Sequence, residues 1–374
     1  MTATQLRFPS MFRSRNGAPS TPTLARYAFF ATAIITLAAC AGDAVSPDGT
    51  IDARHKKHGT TPPPTPPPTP DPTPPPPVPV GGNPISGAVF YVNPSSNAKT
   101  TADSWRATRP ADAAQMDKIA SGSQAQWFGG WSGDIFSAVT NAANTIATAG
   151  AVPVFVAYNI PQRDCGGLSS GGVGSPDAYK TWIASFANAL AGRKAVVILE
   201  PDALTQMDCL SSTDQTTRVG LIQYAVGVLK TASSQIAVYL DGGHSAWKSA
   251  SDQAARLTRA NVAATDGFAL NVSNFQYTAN SIAYGKSISA LIGGKHFVID
   301  TSRNGLGPTS DNQWCNPAGR GLGSLSTTST ADPSVDAYLW IKAPGESDGA
   351  CNGAPAAGAW WADYALGLAQ RSAL

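Results

Sequence analysis

A proline-rich segment divides the chain into two parts of different character. Fourteen of the 23 residues from Pro62 to Pro84 are proline, most of the others being threonine or glycine. Proline lacks a backbone N–H and fixes φ, so we expect an extended polyproline II spacer of roughly 60 Å. Recognition by a proline-binding module is the alternative use of such a segment. The sequence predicts a polar stub and linker over 41–85 and one folded domain over 86–374.

The N-terminus has the pattern of an export signal over residues 1–40. Four arginines and no acidic residue come before the end of an apolar run, Tyr27–Ala39, which is too short for a membrane span but fits a signal-peptide core. The run ends in Leu37-Ala38-Ala39-Cys40, which resembles the lipobox of bacterial lipoproteins, where the cysteine is lipidated. A plain secretory signal is the alternative. Both alternatives predict export. The protein is lipid-anchored at the bacterial cell envelope through Cys40 in the first case and extracellular in the second.

The charge of the predicted domain excludes a polycationic binding face. From Ile85 onward there are 19 Lys and Arg against 20 Asp and Glu, so the basic excess of the chain lies in its first 60 residues. A nucleic-acid partner requires a basic surface, and none is predicted here. Hydrophobic residues make up 43% of the chain, enough for a large core.

The cysteines indicate disulfides rather than a metal site. Without Cys40, the predicted domain keeps four cysteines, an even number that suggests two disulfides in an exported protein. Spacing alone leaves three pairings open. The domain has only two histidines and no C-x-x-C motif, so we expect no metal. The four cysteines are Cys165, Cys209, Cys315 and Cys351.

Strand-like and helix-like segments alternate through the predicted domain. Alternation of this kind indicates a parallel sheet, and about seven units in 289 residues suit a single closed or nearly closed α/β barrel. The predicted strands are Ala88–Val92, Val152–Tyr158, Ala195–Leu199, Ile236–Leu240, Gly267–Asn271, His296–Ile299 and Tyr338–Ile341. The predicted helices include Ile135–Ala149, Asp177–Leu190, Thr213–Lys230 and Ser281–Ile292.

Acidic residues recur where the predicted strands end. Barrels of this type build their active sites at the C-terminal ends of the strands. Clustered carboxylates at that edge either bind a metal or carry out acid–base chemistry on a glycosidic bond. The carboxylates in question are Asp164, Glu200, Asp202, Asp241, Asp300, Glu346 and Asp348.

The tryptophans favour a sugar substrate. All nine lie in the predicted domain. Trp127, Trp247 and Trp314 fall in predicted loops beside glycine, polar residues or cysteine, where an indole can stack on the apolar face of a sugar ring. Trp182 and Trp340 fall in a predicted helix and strand, which favours core packing for these two.

Five motifs resemble, in order, those of glycoside hydrolase family 6. They are YNIPQRDC (158–165), EPD (200–202), YLDGGH (239–244), DTSRNG (300–305) and KAPGESDG (342–349). This family contains inverting endoglucanases and cellobiohydrolases that act on cellulose. The resemblance implies a distorted (β/α) barrel of seven parallel strands and a β-1,4-glucan substrate, cellulose or mixed-linkage glucan, cleaved with inversion. It implies no cofactor.

The resemblance also implies roles for four aspartates. Asp202 matches the general acid, a role that requires a carboxyl still protonated near neutral pH. Asp164 matches the acid beside it, with Arg163 expected to hold Asp164 in place. Asp348 matches the carboxylate assigned as general base, and Asp241 a supporting active-site acid.

Further positions match the family's substrate-binding groups. Ser170 matches a residue that helps to hold the water between the general base and the sugar. Tyr158 matches the ring that distorts the sugar at the scissile bond. Lys342 and Glu346 match residues that hydrogen-bond this sugar. Three tryptophans match the family's stacking platforms: Trp127, Trp247 and Trp314. His244, Asn271 and Arg303 match polar groups that line the cleft. The resemblance also implies the disulfides Cys165–Cys209 and Cys315–Cys351.

The short connection between Arg303 and Lys342 indicates an open cleft that cuts internal bonds, with an exo-acting cellobiohydrolase as the alternative.

A non-catalytic polysaccharide-binding protein would be expected to lack Asp202 or Asp348, and both are present. A dinucleotide site is disfavoured, because the glycine-rich stretch 319–323 follows no predicted strand and lacks the G-x-G-x-x-G spacing. A serine hydrolase is disfavoured, because the segment 243–247 lacks the G-x-S-x-G elbow. We expect a monomer.

Overall fold

The computed structural model of the protein describes residues 82–372 and Leu374. The predicted export signal, Cys40 and the linker as far as Gly81 lie outside the described residues. No helix in the described range is long and apolar enough to cross a membrane.

Seven parallel strands form one sheet in which neighbours in space are neighbours in sequence. They are β1 (Gln126–Phe128), β2 (Val154–Ala157), β3 (Ala195–Leu199), β4 (Ile236–Asp241), β5 (Gly267–Leu270), β6 (His296–Asp300) and β7 (Val335–Leu339). A parallel bridge between Gln124 and Trp340 joins the two ends of the sheet, beside β1 and β7. The predicted α/β class, the number of strands and their parallel arrangement are confirmed.

Helices follow or precede the strands as the alternating pattern predicts. They are α1 (Asn97–Trp105), α2 (Pro110–Ala120), α3 (Ile135–Thr148), α4 (Pro176–Ala189), α5 (Ser212–Ala232), α6 (Ala250–Arg259), α7 (Thr278–Leu291) and α8 (Ala362–Gln370). Several begin at a serine or aspartate whose side chain accepts a backbone N–H of the first turn, which satisfies a donor that the helix leaves free. Ser175 caps α4 and Asp134 caps α3 in this way. The four predicted helices are confirmed to within three residues.

The first predicted strand is wrong. Ala88–Val92 forms only a single bridge, between Phe90 and Val152, and Val89 is 67% exposed. The first strand of the sheet is Gln126–Phe128, which the sequence analysis missed. The last strand begins at Val335 instead of Tyr338 and ends at Leu339.

Both faces of the sheet are buried, which explains why its central strands are continuous apolar runs. Along β3, Val196 and Ile198 point into the barrel, while Val197 and Leu199 pack under the surrounding helices. Trp340 is buried in a third cluster with α8, and Trp182 packs within α4 near Tyr179. The prediction that both tryptophans belong to the core is confirmed.

A polar network sits inside the barrel near the starts of β6 and β7. Asp336 accepts a 2.7 Å hydrogen bond from the Tyr239 hydroxyl and lies 2.7 Å from His296 Nδ1. The Asn83 amide donates to the Asp336 carbonyl, so the chain entering the domain is tied to the last strand. This network lies at the opposite end of the strands from the acidic residues that follow them.

Candidate active site

A cleft of about 1140 Å³ opens among the loops that follow the strands. It brings together most of the side chains that the sequence analysis singled out. Those that line it are Trp127, Tyr158, Asp164, Ser170, Asp202, His244, Trp247, Trp314, Lys342, Glu346 and Asp348. Neutral polar groups, aromatic rings and carboxyls therefore share one cavity, which suits a carbohydrate chain.

Asp202 lies in the loop directly after β3, with its carboxyl half-buried in the cleft. Desolvation raises its pKa well above the ordinary value, and the charges of Asp241, Asp164 and Asp348 raise it further, in that order. Among the described residues, no N–H or O–H group donates a hydrogen bond to this carboxyl. These surroundings favour the protonated form of the Asp202 carboxyl.

Asp202 and the carboxyls before it occupy an uncommon backbone conformation. The φ angles of Asp164, Glu200 and Asp202 are 55°, 49° and 69°, in the left-handed region that costs free energy for residues other than glycine. Strain of this kind persists only where surrounding contacts impose it. It marks the two loops that present Asp164 and Asp202.

Asp164 is held by neutral donors. Its carboxyl accepts a 2.7 Å bond from the Ser169 N–H and a 3.2 Å bond from the Gln206 side chain. Arg163 was expected to hold Asp164 in place, but it makes no hydrogen bond to the Asp164 carboxyl. The Arg163 guanidinium donates instead to the carbonyls of Tyr158, Ser169 and Ser170. It holds the loop that carries Asp164 rather than the carboxyl itself.

Asp241 lies beneath the cleft and outside its lining, at the end of β4. Its Oδ2 accepts the N–H of Asp202 at 3.0 Å and that of Gly243 at 3.2 Å. Burial raises its pKa to about 7, although these two donors act in the opposite direction. Asp241 thus fixes the backbone of Asp202 and places a second titratable carboxyl next to it.

Two other acids expected at the strand ends are structural. Glu200 is fully buried and accepts the N–H groups of Asn159 and Ile160, and burial raises its pKa to about 7. Asp300 is also fully buried and accepts backbone N–H groups of Ser273, Ser302, Ile341 and Lys342. Both organise the loops at the strand ends without reaching the cleft.

Asp348 contrasts with Asp202 because it is paired with a cation. Its Oδ2 accepts 2.8 Å from Arg303 Nη1 and 3.0 Å from the Asn316 N–H, and its Oδ1 lies 3.8 Å from Lys342 Nζ. These groups stabilise an ionised carboxylate. Arg303 itself is fully buried and does not line the cleft, which corrects the expectation that it would.

Asn271 was also expected in the lining and is fully buried instead. Its side-chain amide donates to the Asp300 carbonyl at 2.8 Å and accepts the Gln276 N–H at 2.9 Å. It stabilises the turn after β5, so its contribution to the cleft is indirect.

The predicted aromatic residues surround the acids. Trp127 is oriented by a 2.8 Å bond from its indole N–H to the Ile341 carbonyl and meets Tyr158 edge-on, with centroids 5.2 Å apart. Trp314 has half of its surface exposed, and Trp247 lies 5.6 Å from the His244 ring. Burial lowers the pKa of His244 to about 4, so this ring is neutral at ordinary pH.

Lys342 and Glu346 form a polar corner of the cleft. Lys342 Nζ donates to the Ser347 carbonyl at 3.1 Å. Burial lowers the pKa of Lys342 and raises that of Glu346, while the neighbouring opposite charges act against both shifts. Their remaining donors and acceptors are available to sugar hydroxyls.

Both implied disulfides are present. Cys165–Cys209 joins the loop that carries Asp164 to the segment that follows Asp202. Cys315–Cys351 lies beside Asn316, whose N–H binds Asp348. Each disulfide therefore braces one of the two acidic sides of the cleft.

Several residues of the lining were not predicted from the sequence. Gln206 holds Asp164, Leu168 packs against Gly349, and Trp131 and Trp360 add two more indoles to the cleft. Trp127 and Trp131 bracket Gly129-Gly130 in the sequence, but spacing alone does not show that the second tryptophan also lines the cavity. Among the described residues, no group of three or more His, Cys, Asp or Glu side chains is arranged to hold a metal ion.

Comparison with known proteins agrees with this barrel and cleft. The chain matches the family model described as Glycosyl hydrolases family 6 over residues 85–372. This protein belongs to that family of glycoside hydrolases.

Three relatives show the range of similarity. Endoglucanase A from Cellulomonas fimi is 44% identical over 292 residues, which cover 77% of this chain and 62% of that protein. The 1,4-beta-D-glucan cellobiohydrolase C of Emericella nidulans is 31% identical, with 78% of each chain covered. The solved structure of the endoglucanase Cel6 from Mycobacterium tuberculosis, in complex with a thio-linked cellobioside, is 44% identical with a TM-score of 0.74, covering 78% of this chain and 99% of that one. The chain thus spans about 62% of the length of the Cellulomonas enzyme.

Proposed function

We propose that the protein is an endo-β-1,4-glucanase that hydrolyses internal bonds of cellulose and related β-glucans with inversion at the anomeric carbon. One observation carries the proposal: two carboxyls of the same cleft stand in opposite electrostatic environments. Asp202 has carboxylate neighbours that favour its neutral form, whereas Asp348 is ion-paired with Arg303. A protonated and an ionised carboxyl in one sugar-sized cleft are the two parts that glycoside hydrolysis requires.

Asp202 acts as the general acid in this proposal. Its proton passes to the glycosidic oxygen as the bond to the anomeric carbon breaks, so the leaving sugar departs as a neutral alcohol. Loss of this proton places a negative charge beside Asp164 and Asp241. Asp164, fixed by Ser169 and Gln206, supplies a negative charge near the positive charge that develops on the sugar ring.

Asp348 acts as the general base. It accepts a proton from a water that attacks the opposite face of the anomeric carbon, either directly or through a second water. Ser170 lines the cleft on the Asp164 loop and is assigned to hold this water. A water between base and sugar is what separates inversion from retention.

The remaining lining residues bind the glucan chain. Tyr158 lies against the sugar at the scissile bond, where Lys342 and Glu346 receive its hydroxyls. Trp127, Trp247 and Trp314 offer indole faces to the apolar sides of further glucosyl units, and neutral His244 offers a ring nitrogen. Asn271 and Arg303 support this lining from below.

Endo action is supported by two observations. The endoglucanase from Cellulomonas fimi is more similar to this chain than the cellobiohydrolase from Emericella nidulans, at 44% against 31% identity. The connection from Arg303 to Lys342 is also short, which leaves little chain to roof the cleft. The exo-acting alternative requires such a roof.

We further propose that the protein is exported and monomeric. Two disulfides are typical of proteins that fold in an oxidising compartment outside the cytoplasm. The predicted signal over 1–40 supports export, and the lipobox-like sequence supports attachment of a lipid to Cys40.

The proposal is tested by proton NMR of the anomeric signals in a fresh digest of cellohexaose. Appearance of the α-anomer before the β-anomer supports hydrolysis with inversion. Appearance of the β-anomer first would overturn inversion, and absence of product from several β-glucans would overturn the enzymatic proposal. A parallel viscosity assay on a soluble cellulose derivative separates endo from exo action, because internal cuts lower viscosity long before much sugar is released.

A further inference from the structure

Trp131 is a large apolar side chain with more than half of its surface exposed. It sits in a short 3-10 turn, Gly130–Ser132, directly after β1, and 58% of it is exposed. It is not an isolated surface residue, because it lines the cleft beside Tyr158 and the loop that carries Asp164. Exposed apolar area of this kind, inside a cavity rather than on open surface, indicates a binding contact.

The orientation of this indole is fixed by its neighbours. A Cβ atom on Gly129 would lie 2.4 Å from the Trp131 ring, so only glycine allows the ring to lie against the backbone there. The Arg163 guanidinium carbon lies 5.3 Å from the ring centroid and 4.3 Å from that of Tyr158. Arg163 therefore lies close to both rings, and the exposed indole lines the cleft.

The chemistry around Trp131 defines what can bind to it. The Arg163 nitrogens already donate to the carbonyls of Tyr158, Ser169 and Ser170, so they do not offer a ready site for an anion. The buried guanidinium behind the ring also opposes a cationic ligand, since it occupies the favourable field of the π-system. A neutral ligand with an apolar C–H face fits best, and the ring of a glucosyl unit is such a ligand.

We propose that Trp131 is a further substrate-binding residue, whose indole stacks on a glucosyl unit held along the rim formed by the loops after β1 and β2. The inference rests on the proposed glucanase function and adds a contact that the sequence motifs did not point to. The effect of Trp131 is on binding of the chain rather than on proton transfer.

Binding is measured by calorimetry with cellohexaose in an Asp202→Asn background, which prevents turnover. Trp131→Ala and Trp131→Leu should weaken the affinity about tenfold, because both remove the flat aromatic face. Trp131→Phe should stay within about threefold of the parent, since it keeps such a face. Phe136→Ala is the matched control: Phe136 is a similarly exposed aromatic residue on α3 that does not line the cleft, and its loss should change nothing.

The Leu variant separates stacking from a structural role. If Trp131→Leu binds cellohexaose as well as Trp131→Phe does, the size of the side chain packed over Arg163 and Gly129 determines the affinity. The stacking proposal is then overturned. Unchanged affinity in the Ala variant overturns it as well. These results are distinct from failure of the proposed function, in which the parent protein itself neither binds nor cleaves β-glucans.

Discussion

Arg303 donates a 2.8 Å hydrogen bond from Nη1 to Oδ2 of Asp348, and both side chains are almost completely buried. The guanidinium is anchored on its other side by a 2.6 Å bond to the Ser273 carbonyl and lies 4.4 Å from the centroid of the Phe275 ring. Arg303 thus connects the loop after β5 to the loop that carries the proposed base. A buried ion pair of this geometry fixes both the position and the charge of the carboxylate.

Replacing Arg303 should damage the base side of the reaction selectively. Arg303→Gln removes the buried ion pair that positions the Asp348 carboxylate, so kcat on a soluble oligosaccharide should fall while KM changes little. The fold should also lose about 3–5 kcal/mol, the usual cost of breaking a buried pair. Arg303→Lys, which keeps the charge, should recover part of both. An unchanged kcat in a folded Gln variant would remove Arg303 from this role.

Asp202→Asn should lower activity on cellulose by about 10²–10⁴-fold, because general-acid catalysis is lost while the shape of the cleft is kept. An aryl cellobioside with a good leaving group needs little protonation, so its hydrolysis should fall far less. Initial rates on the two substrates provide the comparison. Equal losses on both would point to a structural defect instead, which calorimetric binding of cellohexaose would reveal.

Asp241→Asn should shift the alkaline limb of the pH profile. Burial raises the pKa of Asp202 first, and the charge of Asp241 raises it next. A general acid works only while protonated, so removing that charge lowers the pH at which activity is lost. The limb is measured from kcat/KM on a soluble oligosaccharide, with the exposed Asp177→Asn on α4 as control. A limb that moves upward, or not at all, contradicts the proposed coupling.

Loss of the Cys165–Cys209 disulfide should affect both stability and rate. Chain entropy predicts that the Cys165→Ser/Cys209→Ser variant is less stable by about 2–4 kcal/mol, measured by denaturant unfolding. The rate should fall too, because this bond joins the loop of Asp164 to the segment that contains Gln206, the donor to its carboxyl. Full activity in this variant would show that the hydrogen bonds alone hold the two loops together.

The central strands were predictable because they are buried on both faces. β3 is AVVIL and every residue of it is buried, so its apolar run is unbroken. β1 is only Gln126-Trp127-Phe128 and carries a polar residue, so periodicity could not detect it. Ala88–Val92 has the right composition for a strand, but only Phe90 pairs, and it does so with a residue before β2.

The candidate site was predictable in its members more than in its contacts. The motifs placed Asp202 and Asp348 correctly at one cleft, since the C-terminal ends of parallel strands meet at one edge. They did not show that Arg303 faces Asp348 from beneath, because 45 positions separate the two residues. Nor did they show that Arg163 binds three carbonyls, since a guanidinium beside a carboxylate in sequence need not contact it in space.

The seam between the two ends of the sheet has a consequence for how the chain folds. Every strand pairs with the one before it, so each strand pair closes a much shorter loop than the seam does. At the seam, Trp127 meets Ile341 across 214 positions, and Asn83 meets Asp336 across 253. Because the entropic cost of closing a loop rises with its length, we expect the seam to form after the strand pairs. Trp127 and Lys342 lie on opposite sides of this seam, so we expect the cleft to be completed late in folding.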